Sequence, residues 1–492
     1  QMEFEQDAVD KLDINSAPHI FNTASFLHAS KWQTPERYQF LIDAAKNGTG
    51  RCQILAAKFM LEFFELFPNQ RTDAANVAFA LMNITEENLR LTLLKDLHII
   101  GTKGGFNRPV IELYLQCTMS NIEEERYAAF DGLVQFLHSN WLEVATILRE
   151  QLGKEHSAKN RKFLLEFLND RMRIIPFEMY KDKEVLDVLE GIFREEFLRC
   201  NLTYVDSLFV YLGNSILMDN YEKQQSIAIH FVDSQKVPHR IPAYFEEPTT
   251  TTAKGVNVNA ELDSILVQLT ILHQMTTVMR EKSDTLCDWF KFIVDNIEEI
   301  FNLPFDRETR ALRAFAQFTV CCSHSISEEH IEQLIKIIMG LVPLADANAD
   351  TTTLPKIELH RLEPCFVALY NLRHITTVKE ILDDKDDDNA SEFKNKMRYL
   401  VRYCQLKSTE YKRTVEELGE VPMRKEMNSL VAAATSVGLL AIEILKPSSS
   451  WELKPRPSWK SCWTTKTSTR APKKIKGNYK VSALMEIFTL KD

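Results

Sequence analysis

Glycine is scarce in this chain, filling 14 of the 492 positions, which is less than half of the usual share of about 7%. Phosphate-binding loops, hairpins and strand bulges depend on glycine. The glycine-rich phosphate and dinucleotide motifs, the nucleophile-elbow motif and the His-Glu-x-x-His zinc motif do not occur in the sequence. The closest stretch, "GTKGGFNRP" from Gly101, is expected to be a helix C-terminal turn. The composition therefore predicts helices joined by short turns, with no catalytic residues and no cofactor.

Paired cysteines are also missing. The nine cysteines are odd in number and scattered, and none forms a Cys-x-x-Cys pair, so neither a disulfide framework nor a zinc ribbon is indicated. The acidic run "DDKDDD" lacks the central glycine and terminal glutamate of a calcium loop. We therefore expect free thiols in a reducing compartment and no metal site.

The charge is unevenly distributed along the chain. Residues 446–480 hold ten Lys or Arg against one Glu, a net charge of +9, whereas residues 1–445 carry −18. The basic stretch is also rich in proline, serine and threonine, a composition that cannot bury a core. The sequence therefore predicts a flexible basic tail over 446–492 and an acidic folded body. Direct contact with nucleic acid is not expected except through the tail.

A repeated pattern indicates stacked helix pairs in the first half of the body. Arg90, Arg126 and Arg161, spaced by 36 and 35 residues, each precede an apolar pair by three positions and a Leu by seven. Apolar residues at i, i+3, i+4 and i+7 define one buried face of a helix. A period of about 36 residues is typical of an α-solenoid. We predict five antiparallel pairs between Glu36 and Met218, with the three arginines at equivalent places on successive second helices.

The domain organisation follows from breaks in this pattern. We predict an N-terminal segment and first helix over 1–35, HEAT-like repeats over 36–236, a Pro/Thr-rich connecting loop over 237–259, and armadillo-like helices over 260–445. The uncharged run 427–442 is shorter than the roughly 20 residues that a bilayer core requires. It is therefore predicted to be a buried helix and not a membrane span. The predicted fold class is an all-α helical-repeat solenoid, HEAT-like and then armadillo-like.

Three blocks carry a resemblance to a known family. They are "YQFLIDAAKNGTGRCQILAAKFMLEFFELFP" from Tyr38, "RKFLLEFLNDRMRIIP" from Arg161, and "FKNKMRYLVRYCQL" from Phe393 followed by "SSSWELKPRPSWK". Together and in this order they resemble the apoptosis inhibitor 5 family. The resemblance implies HEAT-like repeats, armadillo-like helices and a basic nuclear localisation tail. It also implies an antiapoptotic nuclear scaffold that binds nuclear and RNA-processing proteins, with a location in the nucleus and some in the cytoplasm.

That family has a leucine heptad in its late helical region, and this chain departs from it. The corresponding positions are Met397, Cys404, Tyr411 and Leu418, so one leucine of four remains. Because the helix must also pack on the next one, at 424–445, we predict that this face is buried within a monomer.

The function that the sequence favours is a noncatalytic scaffold, not an enzyme, whose repeats bind partner proteins as a negative regulator of apoptosis. Within the tail, Arg470, Lys473, Lys474 and Lys476 are predicted to form a nuclear localisation signal for an import receptor, and Pro472 keeps this run out of helix. Two alternatives stay open: an importin-like transport adaptor, and an adaptor associated with RNA processing or mRNA export.

Overall fold

The computed structural model describes residues 11–29, 34–137, 140–154, 156–171, 182–218, 221–246, 258–279, 281–322, 326–343, 356–383, 388–417 and 421–446. Helices are the regular secondary structure of these ranges, and residues 235–246 form a non-helical stretch. The described ranges contain no β-strand, and an isolated parallel bridge joins Ser283 and Cys322. The predicted all-α helical-repeat class is confirmed. The helices separate into two compact units: unit 1 holds Gln1–Glu196 and Asn214–Leu217, and unit 2 holds Phe197–Gly213 and Met218–Asp492.

Unit 1 is built from short helices of similar length. They are α1 (Ala17–Ala29), α2 (Pro35–Asn47), α3 (Gly50–Glu62), α4 (Arg71–Leu81), α5 (Glu87–Asp96), α6 (His98–Gly104), α7 (Asn107–Cys117), α8 (Glu123–Leu137), α9 (Trp141–Gly153), α10 (Ala158–Arg171) and α11 (Lys183–Arg199). Four of the five predicted pairs correspond to α2 with α3, α4 with α5, α7 with α8 and α9 with α10. The fifth predicted pair, over 182–218, falls on α11 and the following helix, Val205–Asn214. The helix α6 was not predicted. Gly105 ends it in the left-handed conformation, with φ of +79°, so the expected C-terminal turn lies four residues beyond Gly101.

Buried tyrosines tie the helices of unit 1 together. Tyr38 on α2 donates its hydroxyl hydrogen to the carbonyl oxygen of Met60 on α3 at 2.9 Å. Tyr114 on α7 donates in the same way to Leu94 on α5, also at 2.9 Å. Both rings are fully buried. Each phenol therefore satisfies its polar group inside an apolar layer, which fixes the spacing of neighbouring helices.

The helices of unit 2 vary more in length, from 5 to 30 residues. They are α12 (Val205–Asn214), α13 (Tyr221–Ser234), α14 (Ala260–Val278), α15 (Asp284–Asp295), α16 (Ile297–Phe301), α17 (Phe305–Phe318), α18 (Glu328–Leu341), α19 (Leu359–Leu372), α20 (Thr376–Asp383), α21 (Asp388–Glu417) and α22 (Val421–Leu445). The rings of Phe290 and Phe315 stack between α15 and α17 with centroids 5.1 Å apart. The core of unit 2 is therefore aromatic where these helices meet.

Two hydrogen-bonded contacts join α12 and α13 to helices that follow residues 237–259 in the chain. Gln225 on α13 donates to the carbonyl oxygen of Val278 on α14 at 2.6 Å. Arg310 on α17 pairs with both carboxylate oxygens of Asp206 on α12, at 3.1 and 3.2 Å. These contacts group α12 and α13 with the later helices, whereas the Pro/Thr-rich segment 237–259 suggests a boundary after α13. Local composition marks a loop, but a division into units depends on which helices pack together.

Candidate partner-binding surface

Two of the repeat arginines form ion pairs with buried glutamates. Arg90, in the first turns of α5, places Nη2 2.7 Å from Oε2 of Glu125 on α8, whose side chain is 0% exposed. The hydroxyl of Ser120 donates to the same carboxylate oxygen at 2.6 Å. Arg161 on α10 places Nη1 2.6 Å from Oε1 of Glu196 on α11. A buried carboxylate needs such partners because burial removes its water.

Arg126 has a different environment. A glutamate acceptor lies 35 positions after Arg90 and another lies 35 positions after Arg161. The residue 35 positions after Arg126 is Arg161, which carries the same charge and cannot accept. Arg126 instead donates to the carbonyl oxygen of Ser120 at 2.9 Å and lies over the ring of Phe163, 4.6 Å from its centroid. The sequence analysis identified the three arginines but missed their acceptors. A search for acidic residues 35 positions later would have found Glu125 and Glu196.

A second set of charged contacts joins successive first helices of unit 1. Arg108 on α7 forms an ion pair with Glu150 on α9. The neighbouring Arg149 on α9 contacts Oε1 of Glu195 on α11 through Nη2 at 2.5 Å and Nε at 3.0 Å. The four side chains are between 32% and 53% exposed. This ladder of α7, α9 and α11 presents both signs of charge to solvent.

An open pocket of about 370 Å³ lies on this ladder, between α9 and α11. Its lining is Arg149, Asp187, Glu190, Gly191, Arg194 and Glu195. We call these six residues the α9–α11 pocket. A Cβ atom on Gly191 would lie 2.7 Å from Cζ of Arg149, so a side chain at this position would make the flexible guanidinium shift away from α11.

The chemistry of the α9–α11 pocket is that of charged recognition. Three carboxylates and two guanidinium groups can accept and donate charge-assisted hydrogen bonds to a partner's lysine, arginine or acidic side chains. Among the described residues, no group of three or more His, Cys, Asp or Glu is placed to hold a metal ion. The arrangement therefore suits binding of a charged protein segment.

The heptad positions that replace the family's leucines lie on α21. Met397 is fully buried and Cys404 nearly so, while Tyr411 is half-buried. Cys404 faces α22, since a Cβ on Gly438 would lie 3.1 Å from the Cβ of Cys404. Burial raises the pKa of the Cys404 thiol to about 12. Leu418 lies outside the described residues.

The uncharged run at the end of the body forms most of α22. Within the described residues, the segment Met427–Leu445 is long and apolar enough, by length and composition only, to cross a membrane. In its most apolar window 39% of the residues are buried. One face packs on α19 and α21 and the other is exposed. The four tail residues of the predicted localisation signal, Arg470, Lys473, Lys474 and Lys476, lie outside the described residues.

Three solved structures are similar to this chain at low identity. The crystal structure of importin beta in an ammonium sulfate condition has a TM-score of 0.36 at 10% identity, covering 87% of this chain and 55% of that one. Importin beta in a polyethylene glycol condition gives 0.33 at 11%, covering 89% and 63%. Kap121p gives 0.26 at 10%, covering 88% and 53%. The chain thus spans just over half to about three-fifths of the length of those structures.

Sequence comparison identifies a family. No curated protein matches the chain. The family model described as Apoptosis inhibitory protein 5 (API5) matches residues 20–196, which takes in most of α1, all of α2 to α10, most of α11 and the whole α9–α11 pocket. The resemblance that the sequence predicted is therefore supported over residues 20–196, where this chain matches the apoptosis inhibitory protein 5 family.

Proposed function

We propose that this chain is a noncatalytic nuclear scaffold that binds partner proteins on the α7, α9 and α11 surface of unit 1 and thereby restrains apoptosis. The α9–α11 pocket supports the proposal most strongly. It is open, it carries both signs of charge, and it lies inside the segment that matches the antiapoptotic family. Helical repeats bind partners over such surfaces without a deep cavity.

The charge pattern of the pocket favours a protein partner over a small molecule. Arg149 is already held by Glu195, and Arg194 contacts Glu190 at 2.5 Å on the same helix. A partner must offer charges of both signs in a fixed spacing to exchange for these pairs, in which both arginines are 42% exposed while Glu190 is largely buried. A folded surface or a helix can do so over several residues, which gives specificity more than raw affinity.

Filling the pocket is expected to weaken capture of partner proteins. We expect Gly191→Leu to displace the Arg149 guanidinium from α11 while the helix, which tolerates leucine well, stays intact. Recovery of the bound proteins from nuclear extract should fall about tenfold, as for loss of a central contact. The measurement is quantitative mass spectrometry of proteins captured by the full chain.

The matched control for this experiment is Gly340→Leu. Gly340 lies on α18 in unit 2, and a Cβ there would meet nothing within 4 Å. We expect this variant to capture the same proteins as the unchanged chain. Equal capture by both variants would place the partner surface elsewhere.

The tail supports the nuclear part of the proposal. "RAPKKIK" places adjacent lysines after a proline, a pattern that an acidic import receptor can bind in extended form. We expect replacement of Lys473, Lys474 and Lys476 by alanine to shift the protein to the cytoplasm, because three charges are lost while α1 to α22 are unchanged. Fluorescence imaging of the tagged full chain measures the shift, and circular dichroism of the same variant checks the helices.

A solubilising role for the tail makes the opposite prediction. In that case the three alanine substitutions would leave nuclear accumulation undiminished and would lower only solubility. The proposed nuclear localisation signal would then be rejected, and the scaffold proposal would have to rest on unit 1 alone.

A further inference from the structure

Three arginines of α17 follow one another at three-residue spacing and lie on one side of the helix: Arg307, Arg310 and Arg313. Arg307 places Nη2 3.2 Å from Oδ1 of Asp263 on α14. Arg310 pairs with both carboxylate oxygens of Asp206 on α12. The first two arginines of the row therefore have carboxylate partners, and both pairs lie within unit 2.

Arg313, the third arginine of the row, has no carboxylate partner. Within the described part of the chain it makes no hydrogen bond and no ion pair. Its side chain is partly buried, but its nitrogen atoms reach solvent. Burial, and after it the charge of Arg310, lowers the pKa of the Arg313 guanidinium. Arg313 thus carries a charge that has lost part of its water and that no acidic side chain of its own balances.

The α14 side chain beside Arg313 is a histidine and not an acid. The helices α14 and α17 run in the same direction, and Arg310 donates to Oγ1 of Thr270 at 2.9 Å. His273 follows Thr270 by three residues, and Arg313 follows Arg310 by the same interval. Nδ1 of His273 is buried and has no hydrogen-bond partner. Burial, and after it the charge of Arg313, lowers the pKa of this imidazole to about 3, so the ring is neutral.

The charges of this cluster suit a ligand with a single negative charge. Arg310 and Arg313 are cationic, Asp206 is anionic and His273 is neutral, which leaves one positive charge unbalanced. A carboxylate carries one negative charge and accepts the two parallel hydrogen bonds that a guanidinium donates. A phosphate group carries up to two negative charges, and the second would be repelled by Asp206. The cluster therefore favours a carboxylate over a phosphate group.

We propose that Arg313, with His273 beside it, binds one carboxylate of an acidic side chain of a partner protein. The guanidinium donates to the carboxylate oxygens, and the neutral imidazole can donate one further hydrogen bond. One charge-assisted contact changes an affinity by about tenfold to a hundredfold. Such a contact selects an acidic residue within a larger interface and does not hold a free amino acid tightly. The site lies in unit 2, so it does not depend on the α9–α11 pocket of unit 1.

Modification of arginines by phenylglyoxal, located by mass spectrometry of the full chain, reads this site separately from every other arginine. We expect Arg313 to react about threefold faster than Arg307, because the Arg307 guanidinium is held by Asp263. A hexaglutamate peptide at about 10 mM should slow the modification of Arg313 at least about threefold, as for a contact of millimolar affinity. Hexaglutamine, which has the same length and no charge, should give no protection.

Two outcomes of the modification experiment would overturn the proposal. One is an Arg313 modification rate that hexaglutamate leaves unchanged. The other is protection of Arg313 by inorganic phosphate at lower concentration than by hexaglutamate, which would assign the site to a phosphate group.

Hydrogen exchange of the α14 and α17 amides tests whether the charge of Arg313 is unbalanced in the free chain. Arg313→Met keeps the aliphatic bulk and removes that charge, so we expect these amides to exchange about threefold more slowly. Arg307→Met is the matched control on the same helix. It removes a charge that Asp263 balances, so the same amides should exchange about threefold faster. Faster exchange in both variants would show that the fold already compensates Arg313 and would also overturn the proposal.

Discussion

Arg90→Met is expected to lower the free energy of unfolding of unit 1 by about 3 kcal/mol. The substitution keeps the aliphatic bulk of the side chain but removes the charge that balances Glu125, which is 0% exposed. Glu125 would then retain the Ser120 hydroxyl as its hydrogen-bond donor. The loss is placed at the lower end of the range for broken buried pairs because Arg90 itself is 27% exposed. Native-state hydrogen exchange of the α5 and α8 amides measures it.

Arg108→Met is the matched control for this prediction. Arg108 pairs with Glu150 and Glu112 at the surface, where both partners regain water when the pair is lost. We expect the exchange rates of unit 1 to stay close to those of the unchanged chain. If both variants destabilised the unit equally, the repeat arginines would owe their effect to packing and not to their buried partners.

Gly132→Ala is expected to destabilise unit 1 by about 1–3 kcal/mol through overpacking. A Cβ on Gly132 of α8 would overlap the ring of Tyr114 and come within 2.6 Å of its hydroxyl oxygen. Tyr114 is fully buried and holds the carbonyl oxygen of Leu94, so the ring cannot move without losing that bond. Thermal unfolding and exchange of the α5 amides report the change.

The same substitution at Gly153 separates this clash from helix propensity. Gly153 ends α9, and a Cβ there would meet nothing within 4 Å. We therefore expect Gly153→Ala to leave stability unchanged or slightly raised. Destabilisation of the same size at both positions would contradict the close approach of α8 to Tyr114.

The all-α class and the second helices of unit 1 could be predicted from periodicity. Apolar spacing is a local property, and it placed α3, α5, α8 and α10 through the register of Arg90, Arg126 and Arg161. The helix α6 was missed because it has only seven residues, His98–Gly104, too few to show a period. A helix of that length is stabilised by its packing and not by its own pattern.

The charged surface and the two units could not be predicted in the same way. The pocket depends on Arg149 meeting Glu195, 46 residues later, across two helices whose crossing the sequence does not specify. The grouping of α12 with α17 depends on Arg310 and Asp206, 104 residues apart. Tertiary packing determines which of these distant residues come into contact. The acceptors of Arg90 and Arg161, by contrast, recur at 35 residues and were detectable.

The proposed role of the α9–α11 pocket of unit 1 is to restrain apoptosis by binding a partner. Its most direct test is the survival of cells that depend on this chain and express either Gly191→Leu or Gly340→Leu at equal nuclear levels. We predict that Gly340→Leu protects such cells as the unchanged chain does and that Gly191→Leu fails to protect them. Full protection by Gly191→Leu would contradict the claim.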